Sequence, residues 1–467
     1  MTQLIATIIY VAGIVGLFYL DRDRNVRTSW ALWIPTIWML IIGSRRLSDW
    51  FNTGPMVSQE QGYLDGNPIN VAVFGVLIAA GVVVLSLRSR RVKGFLRGNA
   101  PLLLFFAYCA LSTVWSDYSF VALKRWTRAV GDPMMVLILL TDPNPLGATK
   151  RFLSRAGFVL LPLSVLFIKY FPNLGRSYNQ WTWVPMYSGI TTGKNELGVI
   201  CLVFGLGSLW SFIGAYLDRQ MPYRVRHLVA HGIIIFLAIW LCKTANSMTP
   251  LSCLFMAGAV MVLTTRRWVA RSPGAVHALV GGCVALSLFA LFFDTGGSLV
   301  HELGRNATLT GRTAIWRAVL SIHTNPLVGT GFASFWMGNR LERVWETTEK
   351  GLQEAHNGYL ELYLNLGLAG VALLATLIVS GYRNALAVFR RDPHAGRLRL
   401  AFFTAGVIYS LTEAGFTMQD PIWVAFLLAI TYVPPGSRRM ERKPASEWLE
   451  TQAEPPAETQ TAPLEYV

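Results

Sequence analysis

The sequence predicts an all-α, polytopic helical membrane protein, and its composition gives the first reason. Of its 467 residues, 53% are hydrophobic and only 14% are charged, whereas soluble proteins carry about 25% charged residues. The apolar residues occur in long blocks separated by short basic stretches, and the mean hydropathy is +0.42. Too few charged side chains remain to cover a water-facing surface, so most of the chain is expected to lie in a bilayer as helices.

The apolar blocks give the expected number and order of helices. We expect about 12 or 13 transmembrane helices, several of them short for a span of about 20 residues. The shortest blocks, 30–43, 129–141 and 421–434, give the weakest prediction. The blocks lie at 4–20, 30–43, 69–87, 99–115, 129–141, 152–170, 195–217, 228–242, 247–264, 275–293, 358–381, 398–417 and 421–434.

One long polar interruption divides the chain. We expect an N-terminal transmembrane bundle over 1–293, a loop with an amphipathic helix over 294–357, C-terminal transmembrane helices over 358–434, and a disordered cytoplasmic tail over 435–467. A loop of roughly 60 residues is far longer than most, and such loops are usually functional or disordered. Its Trp, Phe, Leu and Gly content argues against disorder, whereas the Pro-, Glu- and Thr-rich tail lacks the apolar residues to order itself.

The distribution of basic residues predicts the orientation of the chain. Arginine and lysine are concentrated in alternate short connections, which the positive-inside rule assigns to the cytoplasm. The long loop is then expected on the periplasmic face, and an odd number of spans places the N-terminus there as well. The net charge of +15 is explained by this bias and by contact with anionic membrane lipids, so nucleic acid is not an expected partner.

The long loop contains a segment with helical periodicity, GRTAIWRAVLSIHTNPLVGTGFASFW. Ile315 and Val319 recur at the spacing of an amphipathic helix. This helix should end before Asn325, because the residue preceding a proline avoids the helical region. Arg312 and Arg317 either reach lipid phosphates from a helix on the membrane surface or bind an anionic substrate, and the spacing leaves both readings open.

Three polar residues near the C-terminal spans are candidates for chemistry. A neutral imidazole with a pKa near ~6.5 can accept a proton at physiological pH, so His356 is a candidate general base toward a hydroxyl. The alternative is an interfacial histidine that orders the start of the next helix, with Asn357 as its cap. Glu413 lies inside the apolar run 398–417, where a carboxylate is costly unless it is paired or faces a polar cavity.

A second loop, 169–198, is expected on the same side and combines cations, an amide and aromatic rings. Arg176, Lys194 and Asn195 are its candidate substrate ligands, since cations recognise phosphate groups. The alternative for Lys194 is that it simply neutralises Glu196. The aromatic residues suit either the membrane interface or sugar faces; they are Tyr178, Trp181, Trp183 and Tyr187.

The sequence suggests neither a metal centre nor a cofactor. His227 and His231 are four residues apart, but no third ligand stands near them in the sequence. The five cysteines lie in or beside apolar runs without a CxxC pair, which predicts small buried hydrophobic residues. No nucleotide-binding fingerprint occurs, so any energy-rich donor must carry its own leaving group.

Six segments together resemble the O-antigen ligase and polymerase superfamily, in particular its exopolysaccharide-polymerase branch. The resemblance covers most of the membrane region, and the order of the segments with a long loop before HNGYLE makes it specific. It implies a GT-C-like multi-helix fold in a bacterial inner membrane, with a periplasmic active site. The segments are GSRRLSDW (43–50), WSDYSFVALKRW (115–126), FPNLGRSY (171–178), TTGKNELG (191–198), GRTAIWRAV…NPLVGTGF (311–332) and HNGYLELYLNLGLAG (356–370).

The resemblance also implies a reaction and roles for individual residues. Such enzymes transfer a glycan from undecaprenyl diphosphate to an acceptor hydroxyl, without a metal and with inversion at the anomeric carbon. His356 fills the family's histidine position and would activate the hydroxyl. Arg312 fills the arginine position of the loop and would hold the diphosphate, while Arg176 would share that charge. Lys194 and Asn195 fall in a recurring pattern of the family.

Three functions are compatible with the motifs. The first is polymerisation of lipid-linked repeat units into a secreted polysaccharide, in which other polysaccharide-export proteins are candidate partners. The second is ligation of a finished glycan onto a lipid A core, because the two activities share their motifs. The third is a transporter or flippase, which predicts paired half-helices and charges at mid-membrane. The unusual residues of this chain instead cluster in its outer loops.

Overall fold

The computed structural model of the protein describes residues 2–23, 26–51, 67–178, 185–292, 308–348 and 351–434. The predicted disordered tail, 435–467, lies outside the described residues, as do Trp181, Trp183 and the first part of the long loop. The described chain is almost entirely helical, and two short strands form the one sheet found within it. The predicted all-α membrane fold is therefore confirmed.

The first ten α-helices lie between residues 3 and 175. Two single-turn 3₁₀ helices, Trp30–Leu32 and Thr113–Trp115, lie beside them. The α-helices are α1 (Gln3–Leu20), α2 (Trp33–Ile42), α3 (Leu47–Trp50), α4 (Pro68–Leu87), α5 (Ser89–Gly98), α6 (Ala100–Ser112), α7 (Ser119–Ala129), α8 (Gly131–Leu140), α9 (Pro145–Tyr170) and α10 (Pro172–Gly175).

A short antiparallel hairpin separates these helices from the C-terminal half of the chain. Its strands are β1 (Arg176–Tyr178) and β2 (Pro185–Tyr187), with Arg176 opposite Tyr187. The helices that follow are α11 (Lys194–Leu217), α12 (Arg224–Thr244), α13 (Met248–Leu263), α14 (Arg267–Arg271), α15 (Pro273–Phe292), α16 (Thr308–Ser321), α17 (Asn339–Thr347), α18 (Gly358–Arg391), α19 (Pro393–Tyr409) and α20 (Pro421–Ile430).

Each predicted apolar run contains a helix, but the helices differ in length. Within the described ranges, seven helices are long and apolar enough to cross a membrane, namely α1, α4, α9, α11, α12, α15 and α18. The α5–α6 pair, bent by 88°, brings the number to eight if it is one span. The number of full-length spans is thus smaller than the number of predicted runs, because helices of 10–17 residues are shorter than the hydrocarbon core.

Helix α11 lies at the centre of the bundle. It packs against α9, α12, α13, α19 and α20, and most of its residues are buried. Peripheral helices instead expose large apolar side chains, such as Leu4 on α1, Val76 on α4 and Phe236 on α12. Because such exposure is unfavourable in water, these faces are the ones that lipid would cover.

The described part of the long loop, 308–348 and 351–357, is folded and has a small apolar core. Helices α16 and α17 pack against the first turns of α18, so the apolar face of α16 is used inside the protein. The predicted end of α16 is confirmed, since the helix stops at Ser321, before Asn325 and Pro326. The buried residues of this core are Val319, Phe335, Trp336, Leu341, Val344 and Ala355 from the loop, and Leu364 from α18.

The loop is anchored where α18 is interrupted at Gly367. This residue has φ +64° and ψ −166°, which is not helical, and a Cβ there would lie 2.3 Å from the carbonyl carbon of Leu327. Only glycine accepts this backbone conformation at such close contact. The break frees Leu368 N to donate to Pro326 O at 2.9 Å, while Asn365 O accepts from Gly331 N at 2.8 Å. The NPLVGTG segment of the loop is therefore hydrogen-bonded to the NLG segment of α18 at this break.

Candidate active site

A buried carboxylate, Glu413, lies in the turn between α19 and α20. The sequence placed it inside an apolar run, but α19 ends at Tyr409, so the carboxylate lies at a helix end rather than in the middle of a span. Its side chain is only 5% exposed. A buried carboxylate is stable only if it is paired or hydrogen-bonded, which directs attention to its partners.

Three side chains from distant parts of the chain contact this carboxylate. Arg312 Nη2 lies 2.6 Å from Oε1 of Glu413. On the other oxygen, His356 Nδ1 lies 3.1 Å from Oε2, and Asn195 Nδ2 donates to Oε2 at 3.1 Å. Glu413 therefore joins the loop helix α16, the start of α18 and the start of α11. We refer to Asn195, Arg312, Glu354, His356 and Glu413 as the Glu413 cluster.

The backbone of His356 is held in an unusual conformation. Its φ is +48°, a left-handed value that costs a non-glycine residue about 1–3 kcal/mol and persists only where the surroundings enforce it. The preceding residue, Ala355, donates its N–H to Glu361 and accepts a hydrogen bond at 2.8 Å from Trp316 Nε1. The following residue, Asn357, caps α18 by accepting two backbone N–H groups at 3.0 Å. The hydrogen bonds of Ala355 and Asn357 thus hold His356 so that its imidazole faces Glu413.

The charges around His356 favour its protonated form. Burial lowers the pKa of His356, but hydrogen bonds and charges from Glu354 and Glu413 raise it by more, to about 10. Glu354 Oε1 lies 2.8 Å from Nδ1 and its side chain is 43% exposed. The expectation of a neutral imidazole with an ordinary pKa is therefore wrong for this arrangement, because two carboxylates face one ring nitrogen. Nε2 is left as the nitrogen that can face a substrate.

The same cluster could be considered as a metal site. Glu354, His356 and Glu413 each offer a ligand atom, and these atoms lie within 4.8 Å of one another. A metal requires an unprotonated imidazole, whereas both carboxylates stabilise the protonated one. Arg312 also pairs with Glu413 and places a fixed positive charge beside that carboxylate. Both features oppose the binding of a cation here.

Arg176 is placed on the β-hairpin rather than in the Glu413 cluster. Its Nε donates to Ile168 O in the last turn of α9 at 2.8 Å, and its guanidinium lies over the ring of Tyr187, 5.5 Å from the centroid. These contacts hold the guanidinium of Arg176 against the end of α9 and the hairpin. The nearby Arg45 also binds this region, through a 3.2 Å hydrogen bond from its Nε to Thr191 O.

Two further predicted residues lie beside the cluster without joining it. Lys194 is exposed in the first turn of α11, next to Asn195. Arg317 is exposed on α16, five residues after Arg312, which corresponds to a rotation of about 140° around the helix. Arg312 and Arg317 therefore point to different sides of α16, and only Arg312 faces Glu413.

Sequence reasoning missed the residues that position the cluster. Glu354 and Glu361 flank His356 in the HNGYLE region, and Trp316 lies in the GRTAIW segment. Their positions within these motifs were the available signal that they belong to the site. Their hydrogen-bond partners could not be predicted from sequence spacing. Arg45 lies in the GSRRLSDW segment, whose sequence assigns it no role. Its contact with Thr191, almost 150 residues away in the chain, is decided by the fold.

The fold and the site together define the class of this protein. It is a polytopic helical membrane protein whose charged cluster forms where two long helices start and a folded loop docks on them. Comparison with known proteins agrees. Residues 232–375 match the family model described as O-antigen ligase. The chain is also 24% identical over 352 residues to the exopolysaccharide production protein ExoQ of Rhizobium meliloti, covering 73% of this chain and 78% of that protein.

These matches support the resemblance drawn from the motifs. The chain is similar to the O-antigen ligase and polymerase proteins, and the resemblance drawn from its motifs is confirmed. The matches support a multi-pass membrane enzyme of the glycan ligase or polymerase type. The matched region, 232–375, includes Arg312 and His356 but ends before Glu413, so this carboxylate is brought into the site by the fold.

Proposed function

We propose that this protein transfers a glycan from undecaprenyl diphosphate to a sugar hydroxyl on the periplasmic face of the bacterial inner membrane, and that it polymerises lipid-linked repeat units. The observation that carries the proposal is the convergence of Arg312 and His356 on one buried carboxylate, Glu413, at 2.6 and 3.1 Å. A cation and a proton-transferring group at one point are what a reaction with a diphosphate leaving group requires.

Arg312 is proposed to bind the diphosphate of the donor. A planar guanidinium can form two parallel hydrogen bonds with phosphate oxygens, and Glu413 fixes its position before the donor arrives. As the bond between the anomeric carbon and the phosphate oxygen breaks, negative charge grows on the leaving diphosphate. A preorganised cation stabilises this charge without a metal. Arg176 and Lys194 are proposed to share this role from the neighbouring loop, with Arg317 as an outer contact.

His356 is proposed to take the proton of the acceptor hydroxyl on Nε2. The hydroxyl oxygen then attacks the anomeric carbon from the side opposite the diphosphate, which inverts its configuration, and undecaprenyl diphosphate leaves. Because the resting imidazole is protonated, it must first lose a proton. The exposed Glu354 can move away, which removes one carboxylate that raises the pKa of His356, and the proton on Nε2 then passes to water. Asn195 and Asn357 are proposed to keep the ring and the carboxylate in place.

The ends of the helices support the proposed orientation. The Glu413 cluster lies at the start of α11 and α18, whereas the opposite end of α18 carries Arg390 and Arg391 in its last turn. By the positive-inside rule the basic end is cytoplasmic. The reaction site is then periplasmic. Gln3 Nε2 donates to Tyr170 O at 3.0 Å. The start of α1 therefore lies near the end of α9. From that end the chain runs through α10 to Arg176.

Polymerisation is proposed ahead of ligation because of the extent of the two matches. The relative named for exopolysaccharide production aligns with 73% of this chain, whereas the O-antigen ligase model matches only 232–375. The experiment is an assay of purified protein with undecaprenyl-diphosphate repeat units, with and without a lipid A core acceptor. Lengthened lipid-linked glycan is the expected product. Labelled lipid A core would instead identify a ligase.

The role of His356 is tested in the same assay. His356→Ala should reduce chain growth at least ~100-fold, the lower range for loss of a general base. His277→Ala is the matched control, because His277 is an exposed histidine on α15 bonded to Tyr382 Oη at 2.7 Å. Folding of both variants is checked by gel filtration. Normal chain growth by His356→Ala would remove this residue from the mechanism.

A further inference from the structure

A second group of histidine and carboxylate side chains lies far from the Glu413 cluster. His227 Nδ1 lies 2.7 Å from Asp21 Oδ1, and His231 Nε2 lies 3.1 Å from the same oxygen. Asp21 directly follows α1, and the two histidines lie one turn apart on α12. No third ligand stands near this histidine pair in the sequence, but the fold brings Asp21 to it from about 200 residues earlier in the chain. We refer to these three residues as the Asp21 cluster.

The Asp21 cluster is at the opposite end of the bundle from the reaction site. Asn195 in the Glu413 cluster is at the start of α11, and the chain reaches α12 only after α11 has run its full 24 residues, or about 36 Å. All three side chains of the Asp21 cluster are at least nine-tenths buried. No step of the proposed transfer reaction uses them.

We propose that Asp21, His227 and His231 form a binding site for a divalent transition metal of the zinc class, which ties α1 to α12. Two imidazoles at i and i+4 on one helix face, completed by a carboxylate from another element, form a donor set suited to such ions. The three ligand atoms lie within 4.8 Å of one another.

The two nitrogen-to-oxygen distances need only a small adjustment to accept the ion. A tetrahedral zinc with bonds of about 2.0–2.1 Å separates its ligand atoms by about 3.3 Å. The observed nitrogen-to-oxygen distances of 2.7 and 3.1 Å therefore have to widen by a few tenths of an ångström, as the metal replaces the shared protons. A fourth ligand can be water, because His227 lines a cavity of about 420 Å³ together with Tyr19, Asp23 and Tyr223.

The electrostatics select the type of ion. The guanidinium of Arg226 lies over the rings of Tyr19 and Tyr223, beside the cavity. Nearby positive charges weaken purely ionic binding. A metal that forms coordinate bonds with imidazole is therefore favoured over Mg²⁺ or Ca²⁺, which prefer oxygen ligands.

The test is a Co²⁺ titration of the full-length protein in detergent. The protein is purified without a polyhistidine tag, because such a tag binds the same metals. Wild-type protein should take up one equivalent of Co²⁺ with the visible absorption of a tetrahedral site, and Zn²⁺ should abolish this absorption. His227→Ala and His231→Ala should each weaken binding at least about 10-fold, since even an outer-shell partner contributes that much.

Two controls make the result decisive. His277→Ala and His356→Ala each remove an imidazole elsewhere and should leave the titration unchanged. His231→Gln keeps a polar side chain, so it covers the case in which His231→Ala does not fold. Uptake below about 0.1 equivalent by wild-type protein, or equal uptake by wild type and His231→Gln, would overturn the proposal. So would loss of binding in His356→Ala alone, which would place the metal in the Glu413 cluster.

Discussion

The two histidine–carboxylate clusters contain similar groups in opposite proportions. In the Glu413 cluster two carboxylates face one imidazole, and Arg312 pairs with the buried one. In the Asp21 cluster one carboxylate oxygen lies between two imidazoles. The excess of carboxylate raises the pKa of His356 to about 10, which favours a proton over a metal. The excess of imidazole gives a donor set for a metal. The ratio of carboxylate to imidazole therefore decides whether a cluster favours a proton or a metal.

The backbones that carry the histidines differ as well. His356 sits at a junction with φ +48°, held by hydrogen bonds of its neighbours, whereas His227 and His231 occupy a regular helix. Strained junctions of this kind are typical of reacting groups, because the fold and not the local sequence fixes the geometry. A regular helix places two ligands at a fixed spacing, which suits a structural metal site.

The largest expected effect is on Glu413 itself. Glu413→Ala removes the partner of both Arg312 and His356, so chain growth by the purified enzyme should fall about 100- to 1,000-fold, the range for loss of preorganised charge. Asp21→Asn, the corresponding change in the other cluster, should leave the rate within about twofold. A Glu413→Ala enzyme with normal melting temperature and a rate within tenfold of wild type would show that the carboxylate does not organise the site.

A smaller effect is expected when the cationic side chain at position 312 changes its shape but keeps its charge. Arg312→Lys keeps the charge but loses the planar fork, so we expect roughly a 10- to 100-fold loss of kcat/KM for the lipid donor. Arg317→Lys, on another side of the same helix, should change it by less than about threefold. The measurement is initial rate against donor concentration. Equal losses in the two variants would mean that α16 contributes only general charge.

The pH dependence tests the carboxylate excess. Neutral His356 becomes more abundant as the pH rises toward about 10, so the wild-type rate should increase from neutral to alkaline pH. Glu354→Gln removes one group that raises this pKa, and the rising limb should move about one pH unit lower. Glu346→Gln, an exposed change on α17, is the control. An unshifted pH–rate profile in Glu354→Gln would show that Glu354 does not influence the proton transfer.

The smallest expected effect on transfer is that of metal removal. A chelator should leave the rate of chain growth within about twofold, because the Glu413 cluster relies on guanidinium groups. The same treatment should lower the melting temperature of zinc-loaded wild-type protein, since a ligand at 100 times its Kd contributes about 2.7 kcal/mol. His231→Ala should lack this shift. Loss of transfer on chelation would reverse the assignment of the two clusters.

Much of the fold and part of the site could be predicted because their signals are local. Apolar runs gave the helices, the residue before Pro326 gave the end of α16, and the position of Asn357 ahead of an apolar run predicted its role as a cap. His356 and Arg312 were selected from their motifs. The expected number of full spans was larger than the number found among the described residues, because run length alone does not show where turns divide a helix, as after Tyr409.

By itself, the sequence determined that the chain folds as helices in a membrane, with a folded loop that carries a histidine and arginines. Hydrophobic periodicity and charge bias are properties of neighbouring residues, so they can be read along the chain. Only the tertiary structure decided which carboxylate meets which imidazole, since Glu413 and Arg312 are 101 residues apart and Asp21 and His227 are 206 apart. Hydrogen bonds and ion pairs act over about 3 Å, and only packing of the helices brings such distant groups within that range.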